Sequence, residues 1–265
     1  MTITHRTTEQ LAHACKSEVA SRRFQTTTQI TAVPPQLPRS PALHLLRFLD
    51  RDAEVSRTRV NLPHWRQDGR TYFVTFRLDD SLPTEAVEHI VESRRAWLHK
   101  NPEPHTSEQR NEYFRLFSEA LDRKLDAGLG GCQLAEPKAR ELVRDALYFF
   151  DGDRYWLHDW VVMPNHVHLL LTVRPEQPLS KVLHSLKSFT SKKINALLGR
   201  SGVLWQKDSF DHIVRSEASF ERFRQYIAEN PQKLAANTFE AGLEVATWDD
   251  DVEAASRRFS RSARR

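Results

Sequence analysis

The chain has 265 residues, with 39 Lys and Arg against 35 Asp and Glu, 39% apolar residues and two cysteines. No stretch approaches the roughly 18 apolar residues of a spanning helix, and the N-terminus MTITHRTTEQ lacks the apolar core of a secretory signal. Cys15 and Cys132 form no CxxC, which excludes a zinc ribbon, a disulfide scaffold and a thioredoxin-type site and makes a cytoplasmic setting the expectation.

Residues 1–58 are rich in Thr, Ser, Arg and Pro and hold no sustained period. They are expected to be a loose extension, with at most a short helix around Leu43 to Leu49. TYFVTFRL (71–78) is a β-rich run. Two helical patterns follow, from Thr84 to about His99 and from about Ser107 to Ala127, parted by Pro102 and Pro104. A third helix starts at Pro137, a favoured first-turn residue, and stops at Asp151-Gly152. RYWLHDWVVMPNHVHLLLTV reads as two strands joined by a tight turn at Met163-Pro164-Asn165.

After Pro178, Leu179, Val182, Leu183 and Leu186 fall at helical spacing, and Gly199 ends that helix. A last strand lies around 208–214. Ser216 caps a final helix whose buried stripe is Phe220, Phe223 and Ile227, closed by Asn230-Pro231. With 84–130 set aside as a helical insertion, the order is β-α-β-β-α-β-α. That order predicts an α+β fold, a ferredoxin-like split βαβ sheet with helices on one face and one more helix at the end. The predicted division is an extension at 1–58, a catalytic domain at 59–240 and a basic tail, mobile by composition, at 241–265.

The chemistry centres on His166-Val167-His168. Strand side chains alternate, so the two imidazoles stand on one face, where they suit a metal ion. A bare HxH also reads as two surface histidines. On the last helix Tyr226 and Asn230 are roughly 40° apart around the axis, at the border of the apolar stripe. There Tyr226 also reads as a boundary tyrosine and Asn230 as a cap before proline.

PNHVHLLL, LKSFTSKKIN, GVLWQKDSFDHIVR and QYIAENP, in this order, resemble REP-associated tyrosine transposases, members of the single-tyrosine HUH transposases. HWRQDGRTYFVTFRLDDSLP resembles their first strand, so the likeness spans about residues 60–235. The resemblance implies that His166, His168 and Asn230 bind a divalent metal, Mg²⁺ or Mn²⁺, and that Tyr226 is the nucleophile. It further implies single-stranded DNA as partner, at hairpins from palindromic repeats, and cleavage through a 5′-phosphotyrosine that a 3′-hydroxyl can later attack. A domesticated module that binds hairpins without strand transfer is the alternative. A phenol of pKa near 10 costs on the order of 4 kcal/mol to deprotonate at pH 7. No residue stands out as general base; His158, His184 and His212 are candidates, each read first as a surface residue.

Charge is concentrated where DNA would need it. Nine Lys and Arg stand against four carboxylates from Lys181 to Arg224, a local excess above the +4 of the whole chain. Within this stretch Lys187, Ser188, Ser191, Lys192, Arg200, Gln206 and Arg215 are the expected DNA contacts, with Lys187, Ser188 and Ser191 placed to reach phosphates. Trp205 is read either as a platform for an unpaired base or as a packed core ring.

Overall fold

The computed structural model describes residues 45–50, 53, 56–59, 63–102, 105–125, 128–234 and 238–242. The expected extension up to residue 44 and the expected tail from 243 onward lie outside them. The short helix anticipated near Leu43 to Leu49 does not continue through 46–50, which has no regular secondary structure. Its backbone serves the sheet instead. The Leu49 N–H donates to Val214 O at 2.9 Å, the Thr71 N–H donates to Arg47 O at 2.8 Å, and Leu46 is buried.

Strands β1 (Ser56–Arg59) and β2 (Pro63–Arg66) pair antiparallel as a separate two-stranded sheet. The main sheet begins with β3 (Thr71–Arg77). The insertion follows as α1 (Thr84–Lys100), α2 (Ser107–Tyr113), a π-helical turn at Phe114–Glu119 and α3 (Ala120–Leu125). Then come α4 (Pro137–Phe149), β4 (Tyr155–Val162), β5 (His166–Val173) and α5 (Leu179–Leu197). The last elements are β6 (Phe210–Ile213), α6 (Glu217–Glu229) and β7 (Glu240–Gly242).

The strands lie in the order β6-β3-β5-β4-β7, every neighbouring pair antiparallel. Without the added edge strand β7 this is the ferredoxin-like order, as the element sequence predicts. Alternation divides the sheet into two faces. Tyr72, Val74 and Phe76 join Val167, Leu169 and Leu171 in a core with Val143, Leu147, Leu183 and Leu186, so α4 and α5 cover that face. Phe73 and Leu170 join Val161, Phe220, Phe223 and Ile227 on the opposite face, under α6. The closing helix thus sits across the sheet from the other two.

The insertion leaves and rejoins the domain at one point. Gly130 has φ +87°, and a Cβ there would lie 2.3 Å from Asp80 O, so only glycine fits. The next residue, Gly131, donates its N–H to Asp80 Oδ2 at 2.9 Å. Among the described residues no helix is long and apolar enough to cross a membrane.

A register shift in β4 between Leu157 and Trp160 inserts a bulge. It keeps Tyr155, Leu157, Trp160 and Val162 all in the first core and turns Asp159 toward α6. There Asp159 Oδ2 accepts from Arg224 Nε at 2.6 Å, with both side chains fully buried. Burial alone would lower the Arg224 pKa, but the hydrogen bond and charge of Asp159 outweigh it and raise it. Asp159→Asn leaves the guanidinium short of its buried counter-ion. It is expected to cost about 3 kcal/mol, the low end for a broken buried pair, because Glu221 stays 3.2 Å from Arg224 Nη1. Urea unfolding checks this as a lower midpoint at unchanged slope.

Candidate metal and nucleophile site

In the β3–β5 register Thr75 lies opposite His168 and Arg77 opposite His166. The two histidines therefore face α6 and not the α4/α5 core. Both are buried, at 1% and 0% exposure. Their Nε2 atoms are 2.9 Å apart.

The hydrogen-bond network assigns their tautomers. Asn165 Nδ2 donates to Leu125 O at 3.1 Å and Leu129 O at 3.2 Å, which fixes the amide. Asn165 Oδ1 then faces His166 Nδ1 at 2.7 Å and must accept its proton. His166 Nε2 is thereby left with a free lone pair, toward which His168 Nε2–H donates. His168 Nδ1 in turn accepts from Thr75 Oγ1 at 2.8 Å. Asn165 and Thr75 were not among the expected site residues. Their signal in the sequence is slight: Asn165 directly precedes His166, and Thr75 has the parity of the polar face of β3.

Tyr226, half-buried on α6, meets the His168 ring edge-on at 5.2 Å and Phe73 at 5.9 Å. Asn230 begins a 3-10 turn one helical turn further on. It is 3% exposed, and its Nδ2 donates to the Tyr226 hydroxyl at 3.2 Å. Its Oδ1 is buried without a hydrogen-bond partner, a cost that a bound cation would remove. Adjacent donors about 2.1 Å from an octahedral ion lie about 3 Å apart, close to the Nε2 spacing. Two imidazole nitrogens and one amide oxygen thus fit a divalent cation, without a carboxylate. Among the described residues no group of three or more His, Cys, Asp or Glu gathers for that purpose.

The expected DNA contacts do not form one surface. Lys187, Ser188, Ser191 and Gln206 line a groove of about 510 Å³ between α5 and the 203–209 loop. Lys187 Nζ donates to Lys207 O at 2.8 Å; burial pulls its pKa down to about 8. Lys192 is exposed, Arg200 follows the end of α5, and Arg215 follows β6; none of the three lines the groove. Trp205 is 4% exposed, donates Nε1–H to Thr190 Oγ1 at 2.9 Å and packs edge-on against Phe76. It is packed mainly as a core ring, while also contributing to the wall of the groove. His158 is likewise buried, with Nε2 2.8 Å from Thr172 Oγ1, and not at the surface.

Burial lowers the His166 pKa from 6.5 to about 3 and that of His168 well below 6.5. Both stay neutral in the folded chain and take up protons on unfolding once pH falls below about 6.5. Their depressed values make stability complete above pH 6.5 and diminishing as pH falls toward 3. Thermal melts without added metal are expected to give a constant midpoint from pH 8 to 7 and a falling one below 6.5. In His166→Phe/His168→Phe that decline should be shallower.

Residues 140–230 match the family model described as "Transposase IS200 like". One solved structure, described as the REP-associated tyrosine transposase bound to a REP hairpin, aligns at 18% identity and a TM-score of 0.37, covering 65% of this chain and 74% of that one. No curated protein matches. The matched stretch, residues 140–230, carries the histidine pair, the basic helix and Tyr226, and over it the chain is similar to IS200-like transposases.

Proposed function

We propose that the protein is a metal-dependent transposase that cleaves and rejoins single-stranded DNA at hairpins from palindromic repeats, with Tyr226 as nucleophile. The observation that carries this reading is the meeting of three chemistries on one sheet face. These are a buried histidine pair, a tyrosine against His168, and an amide whose Oδ1 is buried and unpaired. The similarity of residues 140–230 to IS200-like transposases and the sequence likeness to REP-associated tyrosine transposases support it.

His166 Nε2 and Asn230 Oδ1 would hold Mg²⁺ or Mn²⁺, joined by His168 Nε2 once its proton moves to Nδ1, where Thr75 Oγ1 can accept it. When bound, the ion supplies charge neutralisation at the phosphate and at the leaving oxygen. The Tyr226 oxygen attacks phosphorus, the bond from phosphorus to the 3′-oxygen breaks, and the 3′-oxygen leaves with a proton as a hydroxyl. The product is a 5′-phosphotyrosine, and attack by a 3′-hydroxyl reverses the step and frees the phenol. Asn230 Nδ2, on the Tyr226 hydroxyl, orients the nucleophile. Phe73, edge-on to the ring, limits its swing.

With Mn²⁺ and a repeat hairpin oligonucleotide, the wild type is expected to form a covalent adduct resistant to denaturing gel electrophoresis. Tyr226→Phe should form none while still binding the hairpin. An adduct that persists in Tyr226→Phe sinks the assignment, and tight binding with no wild-type adduct leaves only a binding module.

Asn165 gives a second test. Replacing a partner that orients a ligating histidine typically lowers metal affinity 10–100-fold. Asn165→Ala should weaken Mn²⁺ binding by about that factor in titration calorimetry.

A further inference from the structure

A cavity of about 110 Å³ lies between the insertion and the sheet. Its walls include Thr75 and Arg77 of β3, Arg94 of α1, Phe117 of the π-helical turn, and Gln206 and Asp208 ahead of β6. Arg77 and Arg94 are 8% and 6% exposed. Arg77 Nη1 donates to Leu78 O at 3.3 Å and Ser81 Oγ at 3.0 Å. Arg94 Nε donates to the Tyr113 hydroxyl, and its guanidinium lies over the Tyr113 ring at 5.0 Å. Among the described residues neither is in a salt bridge, whereas the fully buried Arg224 holds Asp159 at 2.6 Å. Two buried guanidiniums beside one cavity without a carboxylate in contact are costly unless an anion joins them.

Around them, Asp79 and Asp208 act on Arg77 through space, Asp208 and Asp211 act on Arg94, and Lys187 lies within electrostatic reach of Arg77. Three cations thus face three carboxylates, none of them in a salt bridge with either arginine among the described residues. The cavity also adjoins the histidines. Arg77 is the cross-strand partner of His166, and Thr75, a cavity wall, is 2.8 Å from His168 Nδ1. Gln206 and Asp208 line both this cavity and the groove along α5. A strand lying in that groove would reach the histidines by way of Arg77 and Arg94.

We propose that this cavity is a second phosphate site, taking the backbone phosphate of single-stranded DNA that adjoins the one at the histidine pair. The site rests on the function proposed above and gives the insertion a role in it, since Arg94 comes from α1. Planar guanidiniums suit the tetrahedral oxygens by paired N–H donors, and the apolar walls strengthen the attraction.

The test is anisotropy of a labelled repeat oligonucleotide on the full chain, across a salt series without divalent metal. Arg94→Gln and Arg77→Gln are each expected to weaken binding about tenfold. Each should also flatten the dependence of log K on log salt by about 0.7, the loss of one single-strand phosphate contact. Arg94→Lys, which keeps the charge, should keep the slope. A methylphosphonate at the linkage next to the cleaved one should lower the wild-type slope by the same amount, a measurement that holds even if a variant fails to fold. A folded Arg94→Gln with the wild-type slope, or a neutral linkage without effect, overturns the site. Inorganic phosphate that raises the melting temperature through Arg94 while the DNA slope is unchanged would make it a free-anion site and overturn the DNA assignment. If the wild type binds no single-stranded DNA, the function itself falls; if it binds and only these variants match it, the second site alone falls.

Discussion

The buried pair between Arg224 and Asp159 decides how α6 lies on the sheet. An apolar stripe of Phe220, Phe223 and Ile227 holds a helix against a surface but resists rolling about its axis only weakly, because burial is non-directional. Arg224 and Tyr226 are roughly 160° apart around that axis, so they occupy opposite flanks of the stripe. Fixing Arg224 to the bulge of β4 on one side turns the other side, with Tyr226, toward His168. The parallel stack of Phe223 on Phe73, with centroids 4.4 Å apart, sets the height of the helix over β3. Replacing such a pair with apolar residues is often neutral or stabilising. Its contribution here is orientation, and orientation is what a nucleophile needs.

The same economy governs β5. Val167, Leu169 and Leu171 fill the α4/α5 core, while His166, His168 and Thr172 face the other way. Every polar group on that second face has a protein partner: Asn165 for His166, Thr75 for His168, and both Thr71 and His158 for Thr172. A strand buried on both faces can carry three polar side chains only under this condition. The partner that makes the burial of His166 tolerable also sets which of its ring nitrogens is free, while Thr75 can donate to or accept from His168 Nδ1. Folding and ligand geometry are therefore one constraint here, not two.

Local signals account for what the sequence made legible. Pro137 opens α4. The turn at Met163-Pro164-Asn165 separates β4 from β5. Ser216 accepts from the Ser219 N–H at 3.2 Å to cap α6. Each signal is complete within a few residues, and the order of elements follows from them. Two short periods place the histidine pair on a strand face and Tyr226 and Asn230 on a helix flank, but the roles expected of them come from the resemblance and not from those periods. What escaped was non-local. Nothing near Trp205 announces that Thr190 will take its N–H. Asp159 and Arg224 are 65 positions apart. The segments SRTR, PHWR and EAG, which form β1, β2 and β7, are too short to display an alternation.

The insertion illustrates how non-local terms reach the site. Its charges are mixed, so composition assigns it no role. Its path does. The Leu125 and Leu129 carbonyls at its C-terminal end hold the Asn165 amide, and Gly130-Gly131 closes against Asp80 immediately afterwards. If the insertion moved away, Asn165 would lose both acceptors, and its amide would be free to rotate and present Nδ2 to His166. A donor there cannot take the Nδ1 proton, so the imidazole would have to change tautomer or turn. The free lone pair at Nε2 would then be lost without any change in the histidines themselves. The arrangement of the His pair is thus conditional on the insertion, through an amide whose two ends are read by different parts of the chain.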